Sequence, residues 1–268
     1  MLHVEYLKQI CYNKHVVMEF MKSKRKYAFT LAEVLITLGI IGVVASLTLP
    51  TLINGYKRKV TETRLAHAFS VISQVFKRAE ADYGPMADWG LGSNGVNSNG
   101  STVMNSLINT YMLPYLDGAT VKRMSQEQFG RKSGILYANG STYWDQNSTG
   151  TFFILKNGVT LNFGSTGVNS SDGTSLSLRI YVDLNGAQEP NMLGKDIFTM
   201  DVSYYDGIIE LTGERSISYD NGVWTVTKNT RTDMLNSCKK STNPGLLGCG
   251  ALIRADGWKI PKDYPFKI

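Results

Sequence analysis

The strongest constraint on this chain is a long apolar segment near its N-terminus. Residues 29–53 read FTLAEVLITLGIIGVVASLTLPTLI, and Glu33 is the only ionisable side chain among them. Twenty uncharged residues follow it, from Val34 to Ile53, and twelve of these are Val, Leu or Ile. A helix of about 20 residues crosses a hydrocarbon core of about 30 Å. The twelve side chains contribute about −4 to −7 kcal/mol towards insertion, so we predict a transmembrane helix over residues 29–53.

The surroundings of this segment differ from those of an ordinary secretory signal. Such a signal has an apolar stretch of about 7 to 15 residues, followed by small residues at a cleavage site. Here the small residue, Ala28, precedes the apolar segment and follows the basic sequence KSKRKY. A carboxylate at a membrane-helix centre costs about 2.5 to 3.5 kcal/mol, so we expect Glu33 to meet a partner. The alternative is a glutamate that only reaches the interface from the helix end.

The N-terminal segment resembles that of type IV prepilins and type II secretion pseudopilins. The residues that carry the resemblance are Ala28, Phe29, Thr30, Leu31, Glu33 and Pro50. The resemblance implies that a membrane prepilin peptidase cleaves between Ala28 and Phe29 and then N-methylates Phe29. It also implies that Glu33 pairs with the α-amino group of Phe29 on a neighbouring subunit. Pro50 lacks a backbone donor and falls where these helices commonly kink, whereas Ala28 stands where Gly is usual.

The sequence divides into four parts. Residues 1–28 form the leader, and we expect translation to start at Met21, which begins the basic segment MKSKRKYA. After the transmembrane segment, apolar residues recur at helical spacing, which predicts that residues 54–83 continue the helix as an amphipathic segment. Gly84 and Pro85 are expected to end this helix. Residues 84–268 should form an extracytoplasmic, β-rich globular domain.

Turn signals predict antiparallel strands in this domain. Asn157 and Gly158 separate FFILK from VTLNF, and Asn-Gly is the strongest short-range signal for a hairpin. Further strands are predicted at Leu176 to Leu184, Ile197 to Tyr205, Ile208 to Leu211, Ile217 to Tyr219 and Val223 to Val226. We therefore predict an α+β fold, in which the long N-terminal helix packs on an antiparallel meander of these strands.

The cysteines fit one disulfide in the exported part. Cys11 lies in the leader, so Cys238 and Cys249 form an even pair near the C-terminus. An even pair in an oxidising compartment favours a disulfide, and the resemblance agrees, because many pilins carry a C-terminal loop closed by a disulfide. Two unpaired buried thiols are the alternative.

One loop carries candidate calcium ligands. Asp183, Asn185 and Asp196 lie in the sequence VDLNGAQEPNMLGKDIF, which resembles a segment of pseudopilins and related pilins. Hard oxygen ligands on a turning backbone suit calcium, and the resemblance allows a calcium site in such C-terminal loops. Asx turns that cap the strand ends are the alternative. We expect no other cofactor.

These features predict a structural protein and not an enzyme. His67 is the only histidine after the leader, and it lies on the helix, so the globular part has no histidine base for nucleophilic catalysis. The resemblance implies a subunit of a type IV pilus-like or type II secretion pseudopilus filament. Its partners would be identical or related pilins, the prepilin peptidase, and an assembly ATPase with its platform proteins. The subunit would cross the bacterial inner membrane once and then enter a filament in the periplasm or at the cell surface.

Two other functions stay open. A DNA-uptake minor pilin would bind phosphates through surface Lys and Arg, and the chain has a net charge of +6. We do not expect nucleic acid as a partner, because basic clusters at residues 22–26 and 57–59 flank the membrane segment, where they face headgroups or solvent. The other alternative is a membrane-anchored enzyme that carries the same N-terminal segment.

Overall fold

The computed structural model describes residues 29–89, 108–116, 118–166, 177–203, 206–220, 223–239 and 248–268. The chain divides into two compact units, one up to Ile53 and one from Asn54 onwards. Ala28 and Cys11, with the rest of the leader, lie outside the described residues.

The first element is a long helix, α1, which spans Leu31–Tyr83 and contains Pro50. Within the second unit, this helix buries a stripe of apolar side chains at intervals of three and four residues, because that spacing lies on one face of an α-helix. The stripe consists of Leu65, Ala68, Ile72, Val75, Phe76 and Ala79. The helix ends before Gly84, whose N–H donates to the carbonyl of Glu80. The amphipathic segment and its end were both predicted, and both are confirmed.

Ten strands follow. They are β1 (Thr120–Ser125), β2 (Ile135–Leu136), β3 (Thr142–Trp144), β4 (Thr149–Ile154), β5 (Thr160–Thr166), β6 (Ser177–Asp183), β7 (Ile197–Ser203), β8 (Ile209–Leu211), β9 (Arg215–Asp220) and β10 (Val223–Lys228). Six of them form one antiparallel sheet in the order β1-β4-β5-β6-β7-β8. From β4 to β8 each strand pairs with the next one in sequence, so this part is the predicted meander.

The predicted Asn-Gly hairpin is present. Ile154 pairs with Thr160 at the ends of β4 and β5. Between them the side chain of Asn157 accepts the N–H of Val159, and Gly158 has a φ of +83°, which a residue without a Cβ adopts at low cost. The local turn chemistry therefore fixes the register of these two central strands.

The meander ends earlier than predicted. The strands β9 and β10 pair with each other and form a separate two-stranded sheet, and β2 and β3 form another. The sequence pattern identified the β9–β10 hairpin but wrongly suggested that it continued the main sheet. A hairpin signal specifies only the pairing of its own two strands, and the neighbour of a hairpin depends on tertiary packing.

Six short helical segments complete the described elements besides α1. A helix α2 (Gln126–Phe129) follows β1, and single helical turns lie at Met86–Asp88 and over residues 108–115. Near the C-terminus, α3 (Arg231–Lys239) and α4 (Cys249–Ala255) carry the two cysteines. Neither α3 nor α4 was predicted, because segments of seven to nine residues are too short to show helical periodicity.

One hydrophobic core joins these elements of the second unit. It includes Phe76 from α1, Phe153, Leu161, Ile180 and Met200 from the main sheet, Met234 from α3 and Leu252 from α4. The long helix thus packs against the inner face of an antiparallel sheet, while α3 and α4 add to the same core. The predicted α+β, pilin-like fold is confirmed.

Candidate assembly site

The start of α1 holds the residues predicted to govern processing and assembly. Phe29 precedes the helix, and its side chain is 85% exposed. Thr30 and Glu33 are bonded to each other: the N–H and hydroxyl of Thr30 donate to Glu33 Oε2 at 2.8 and 2.9 Å, and the N–H of Glu33 donates to Thr30 Oγ1 at 3.2 Å. This is a capping box, which satisfies backbone donors that the first helical turn leaves free.

Sequence reasoning missed the role of Thr30 in this arrangement. The signal was available, because a Ser or Thr followed three residues later by an acidic residue, directly before an apolar stretch, indicates a helix start. The capping box also fixes the direction of Glu33. Both bonds from Thr30 go to the same carboxylate oxygen, Oε2. The Glu33 carboxylate therefore lies at the first turn of the helix, next to the residue that would become the mature N-terminus.

The first unit presents an apolar surface. All twelve Val, Leu and Ile side chains between Val34 and Ile53 are between 41 and 74% exposed. Three polar side chains of this stretch bond to their own helix: the hydroxyls of Thr37, Ser46 and Thr48 donate to carbonyls one turn earlier. Hydroxyls that are satisfied in this way need no water, which suits an apolar environment.

By length and composition, α1 is the helix among the described residues that could cross a membrane. Pro50 lies inside it, three residues before the end of the apolar stretch. Proline has no N–H to donate to the carbonyl four residues earlier, so the helix lacks one backbone bond at this point. The kink expected at Pro50 stays a prediction.

Of the candidate calcium ligands, Asp183 and Asp196 have carboxylate oxygens that are already engaged, whereas Asn185 Oδ1 is buried without a hydrogen-bond partner. Asp183 is buried and pairs with Arg131, and its Oδ1 accepts the N–H groups of Asn185 and Gly186 at 3.0 and 2.9 Å. Burial raises the pKa of Asp183 to about 7, although Arg131 and the N–H of Asn185 act in the opposite direction. The positive charge beside this carboxylate is thus an arginine of the same chain.

Asp196 is engaged in a similar way. Its two carboxylate oxygens accept the N–H groups of Asn191 and Met192 at 2.8 and 2.7 Å. Burial raises the pKa of Asp196, which the two N–H donors oppose. In the part of the chain that the structure describes, no group of three or more His, Cys, Asp or Glu side chains could hold a metal ion. These residues do not fit an open calcium cage, and calcium binding stays a prediction without support from this geometry.

The cysteine pair forms a disulfide. Cys238 near the end of α3 is bonded to Cys249 at the start of α4, and both residues are fully buried. Eleven positions separate them, and residues 240–247 between them lie outside the described part. In the chain-entropy account, a loop of this length stabilises the fold by about 3 kcal/mol.

The C-terminal tail is bound to α1. Glu62 accepts the N–H of Ile260 at 2.9 Å, and Arg58 donates to the carbonyl of Ile260 at 2.7 Å. The hydroxyl of Tyr264 donates to the carbonyl of Gly194 at 2.5 Å. Sequence reasoning did not find these contacts. The signal was the position of Arg58 and Glu62, which lie seven and three residues before Leu65 and therefore on the buried face of the helix.

Comparisons with known proteins agree with this description of two distinct parts. Residues 23–49 match the model of the prokaryotic N-terminal methylation motif, which covers the predicted cleavage position, Glu33 and most of the apolar stretch. Residues 51–268 match the model of a family of unknown function. No curated protein and no solved structure matches the chain. The N-terminal segment is therefore of the prepilin type, and the chain belongs to the family of unknown function DUF6613.

Proposed function

We propose that this protein is a structural subunit of a type IV pilus-like or type II secretion pseudopilus filament, and not an enzyme. The observation that carries the proposal is the apolar surface of residues 34–53, where every Val, Leu and Ile is exposed. Such a surface is stable only in lipid or against other apolar helices. A prepilin-type protein meets both conditions in turn, first as a single-pass anchor in the inner membrane and later in the core of a filament.

Glu33 supplies the specific contact in this proposal. Its carboxylate lies at the first turn of α1, where Thr30 holds one of its oxygens. After cleavage between Ala28 and Phe29, the new α-amino group of a neighbouring subunit would carry a positive charge at the same depth. Pairing the two charges offsets the cost of placing either one in an apolar environment. The pair therefore sets the register between neighbouring helices.

Processing and assembly need partners that act on the N-terminal segment. The methylation motif supports recognition by a prepilin peptidase, which would remove the leader and methylate Phe29. An assembly ATPase with its platform proteins would extend or shorten the filament from the cytoplasmic side. The globular domain would face outwards, in the periplasm or at the cell surface.

Two variants test the assembly step. Glu33→Gln keeps the size and the capping acceptor of the side chain but removes its charge, and Glu127→Gln is a matched control on an exposed position of α2. Filaments sheared from cells are quantified by immunoblotting and electron microscopy. We expect E33Q to reduce filaments at least about tenfold, as loss of a charge pair in an apolar setting predicts, and E127Q to leave them unchanged. Normal filaments with E33Q would contradict the proposal.

The processing step has its own test. The mass of the mature protein, measured on assembled material, should correspond to a chain that begins with N-methylated Phe29. An intact leader on the assembled protein would contradict prepilin processing.

A further inference from the structure

A groove in the second unit brings together basic residues that are far apart in sequence. It has a volume of about 730 Å³ and lies between the first turns of α1 within this unit, the loop that follows β6, and the last residues of the chain. We call it the lysine groove. Its charged lining residues are Lys57, Arg64, Glu189, Lys195, Asp196 and Lys267.

The lysine groove has an excess of positive charge that the fold does not neutralise. Among the described residues, Lys57, Lys195 and Lys267 form no ion pair. Arg64 uses one N–H to bond the carbonyl of Leu184 at 2.7 Å. Four cationic side chains face two acidic ones, a net charge of +2, or of +1 if the terminal carboxylate is counted.

The two acidic side chains do not cancel this excess locally. Asp196 is buried, and among the described residues it forms no ion pair with a lysine. Glu189 is exposed at the rim of the groove. The ammonium groups of three lysines are therefore free to bind a phosphate, for which lysine acts as a flexible point charge.

Part of the remaining lining is apolar, although the polar residues Thr61, Asn185 and Gln188 also line the groove. Tyr56, Val60, Leu184 and Pro190 line it beside the basic residues. A lining with apolar surface next to cationic groups matches a ligand that carries a phosphate attached to a glycerol and acyl chain. An inorganic ion would make no use of the apolar part.

Chain connectivity places the groove close to the bilayer. Lys57 follows Ile53, the last residue of the uncharged stretch, by four positions. Four residues reach at most about 14 Å even when fully extended. The headgroup region begins directly outside a hydrocarbon core of about 30 Å, and Tyr, Lys and Arg are enriched at that level. At least one wall of the groove must therefore lie near lipid headgroups in the membrane-anchored subunit.

We propose that the lysine groove binds the headgroup of an anionic phospholipid. Lys57, Lys195 and Lys267 bind the phosphate, while Tyr56 and Val60 contact the glycerol and the first part of the acyl chains. The bound lipid holds the globular domain at the membrane before assembly. This inference rests on the membrane anchorage in the proposed function, but not on polymerisation.

The test uses the full-length protein in detergent and native mass spectrometry. Phosphatidylglycerol, phosphatidylcholine and inorganic phosphate are titrated separately, and phosphate is also used as a competitor. Each basic group near a membrane surface strengthens anionic lipid binding several-fold, so we expect phosphatidylglycerol to bind at least about tenfold more tightly than phosphatidylcholine. Inorganic phosphate should not displace it at equal concentration.

Three variants assign the effect to the groove. Lys57→Gln, Lys195→Gln and Lys267→Gln together should abolish the preference for phosphatidylglycerol. Arginine at the same three positions should keep it, and this variant also reports whether the positions tolerate substitution. The matched control replaces Lys122, Lys132 and Lys156, which are exposed elsewhere, by Gln. It removes the same charge and should keep the preference.

Three results would each overturn the inference. The first is equal binding of both lipids by the wild type, and the second is an equal loss of lipid preference in the groove variant and the control variant. The third is displacement of the lipid by phosphate at equal concentration, because that result would indicate a general anion site. Filament formation is scored separately. Lipid preference without filaments would count against the proposed function alone, and filaments without lipid preference would count against the lysine groove alone.

Discussion

Arg131 and Asp183 form a buried ion pair whose members are 52 positions apart in sequence. Arg131 also donates to Gln126 Oε1 at 2.7 Å, and its guanidinium lies 4.8 Å from the ring centroid of Phe129. Moving two charges out of water costs several kcal/mol per ion, which only close pairing and further hydrogen bonds offset. The pair fixes α2 to the end of β6 and so holds the loop that forms one wall of the lysine groove.

The cost of burying Asp183 without a partner can be measured by replacing Arg131. Arg131→Met is expected to lower the free energy of unfolding by about 3 to 5 kcal/mol at neutral pH, because the buried Asp183 then either carries an unpaired charge or must take up a proton, and both cost free energy. In the wild type, Arg131 lowers the pKa of Asp183. Removal of Arg131 therefore raises this pKa further above its value in the unfolded chain. Stability should therefore be highest under acidic conditions and fall as the pH rises through that pKa.

Denaturant titrations of the full chain in detergent, at about pH 5 and about pH 8, measure this dependence. The double variant R131M/D183N removes the titrating group, so it should be more stable than R131M at the higher pH and should lose most of the pH dependence. If R131M proved equally stable at both pH values, the account of a stranded carboxylate would be wrong.

At the scale of elements, the β2–β3 hairpin lies close to the chain that leads into it. Gly134 has a φ of +71°, and a Cβ at this position would lie 1.9 Å from the carbonyl oxygen of Trp144. Any side chain here would meet backbone and not a movable side chain. The short hairpin can approach so closely only because this residue is glycine.

Two alanine substitutions separate the effect of the clash from that of the backbone conformation. Gly140→Ala places a Cβ in open space at a φ of +85°, so it should cost about 1 to 2 kcal/mol through backbone strain alone. Gly134→Ala adds a steric conflict and should cost about 1 to 3 kcal/mol more. Thermal and denaturant unfolding of both variants would show the difference. Equal losses would mean that the hairpin can shift away from Gly134 at no cost.

The elements differ in how far the sequence could predict them. The β4–β5 hairpin was predictable, because Asn157 and Gly158 determine the turn locally. The strand β1 was not, since most of its side chains are exposed and its pattern does not alternate. The ion pair of Arg131 and Asp183 was also out of reach, because nothing in one sequence indicates which distant charge a buried aspartate meets. The same limit applies to Asp183 and Asp196, because one sequence does not show that backbone N–H groups and an arginine engage their carboxylates.

At the scale of the whole molecule, the two units have opposite surface chemistry. The described part of the first exposes its large apolar side chains, while the second buries most of its own in one core. Arg58 and Glu62 form hydrogen bonds with Ile260 of the C-terminal tail. The packing of the second unit therefore extends to the turns of α1 that carry these two residues. These turns are part of the globular fold and not merely a connection to the membrane segment.

Truncation provides a direct test of this division. A chain of residues 54–268 keeps Arg58, Glu62 and Arg64, so we expect a monomer that is soluble without detergent and forms no filaments. A chain of residues 65–268 loses the bonds of these three residues to Ile260 and Leu184. Its melting temperature should be lower by about 5 °C or more, since each kcal/mol shifts the midpoint of such a domain by about 2 to 4 °C. Equal melting temperatures would show that the tail does not depend on α1. Strongly salt-dependent binding of DNA by residues 54–268 would instead favour the DNA-uptake alternative.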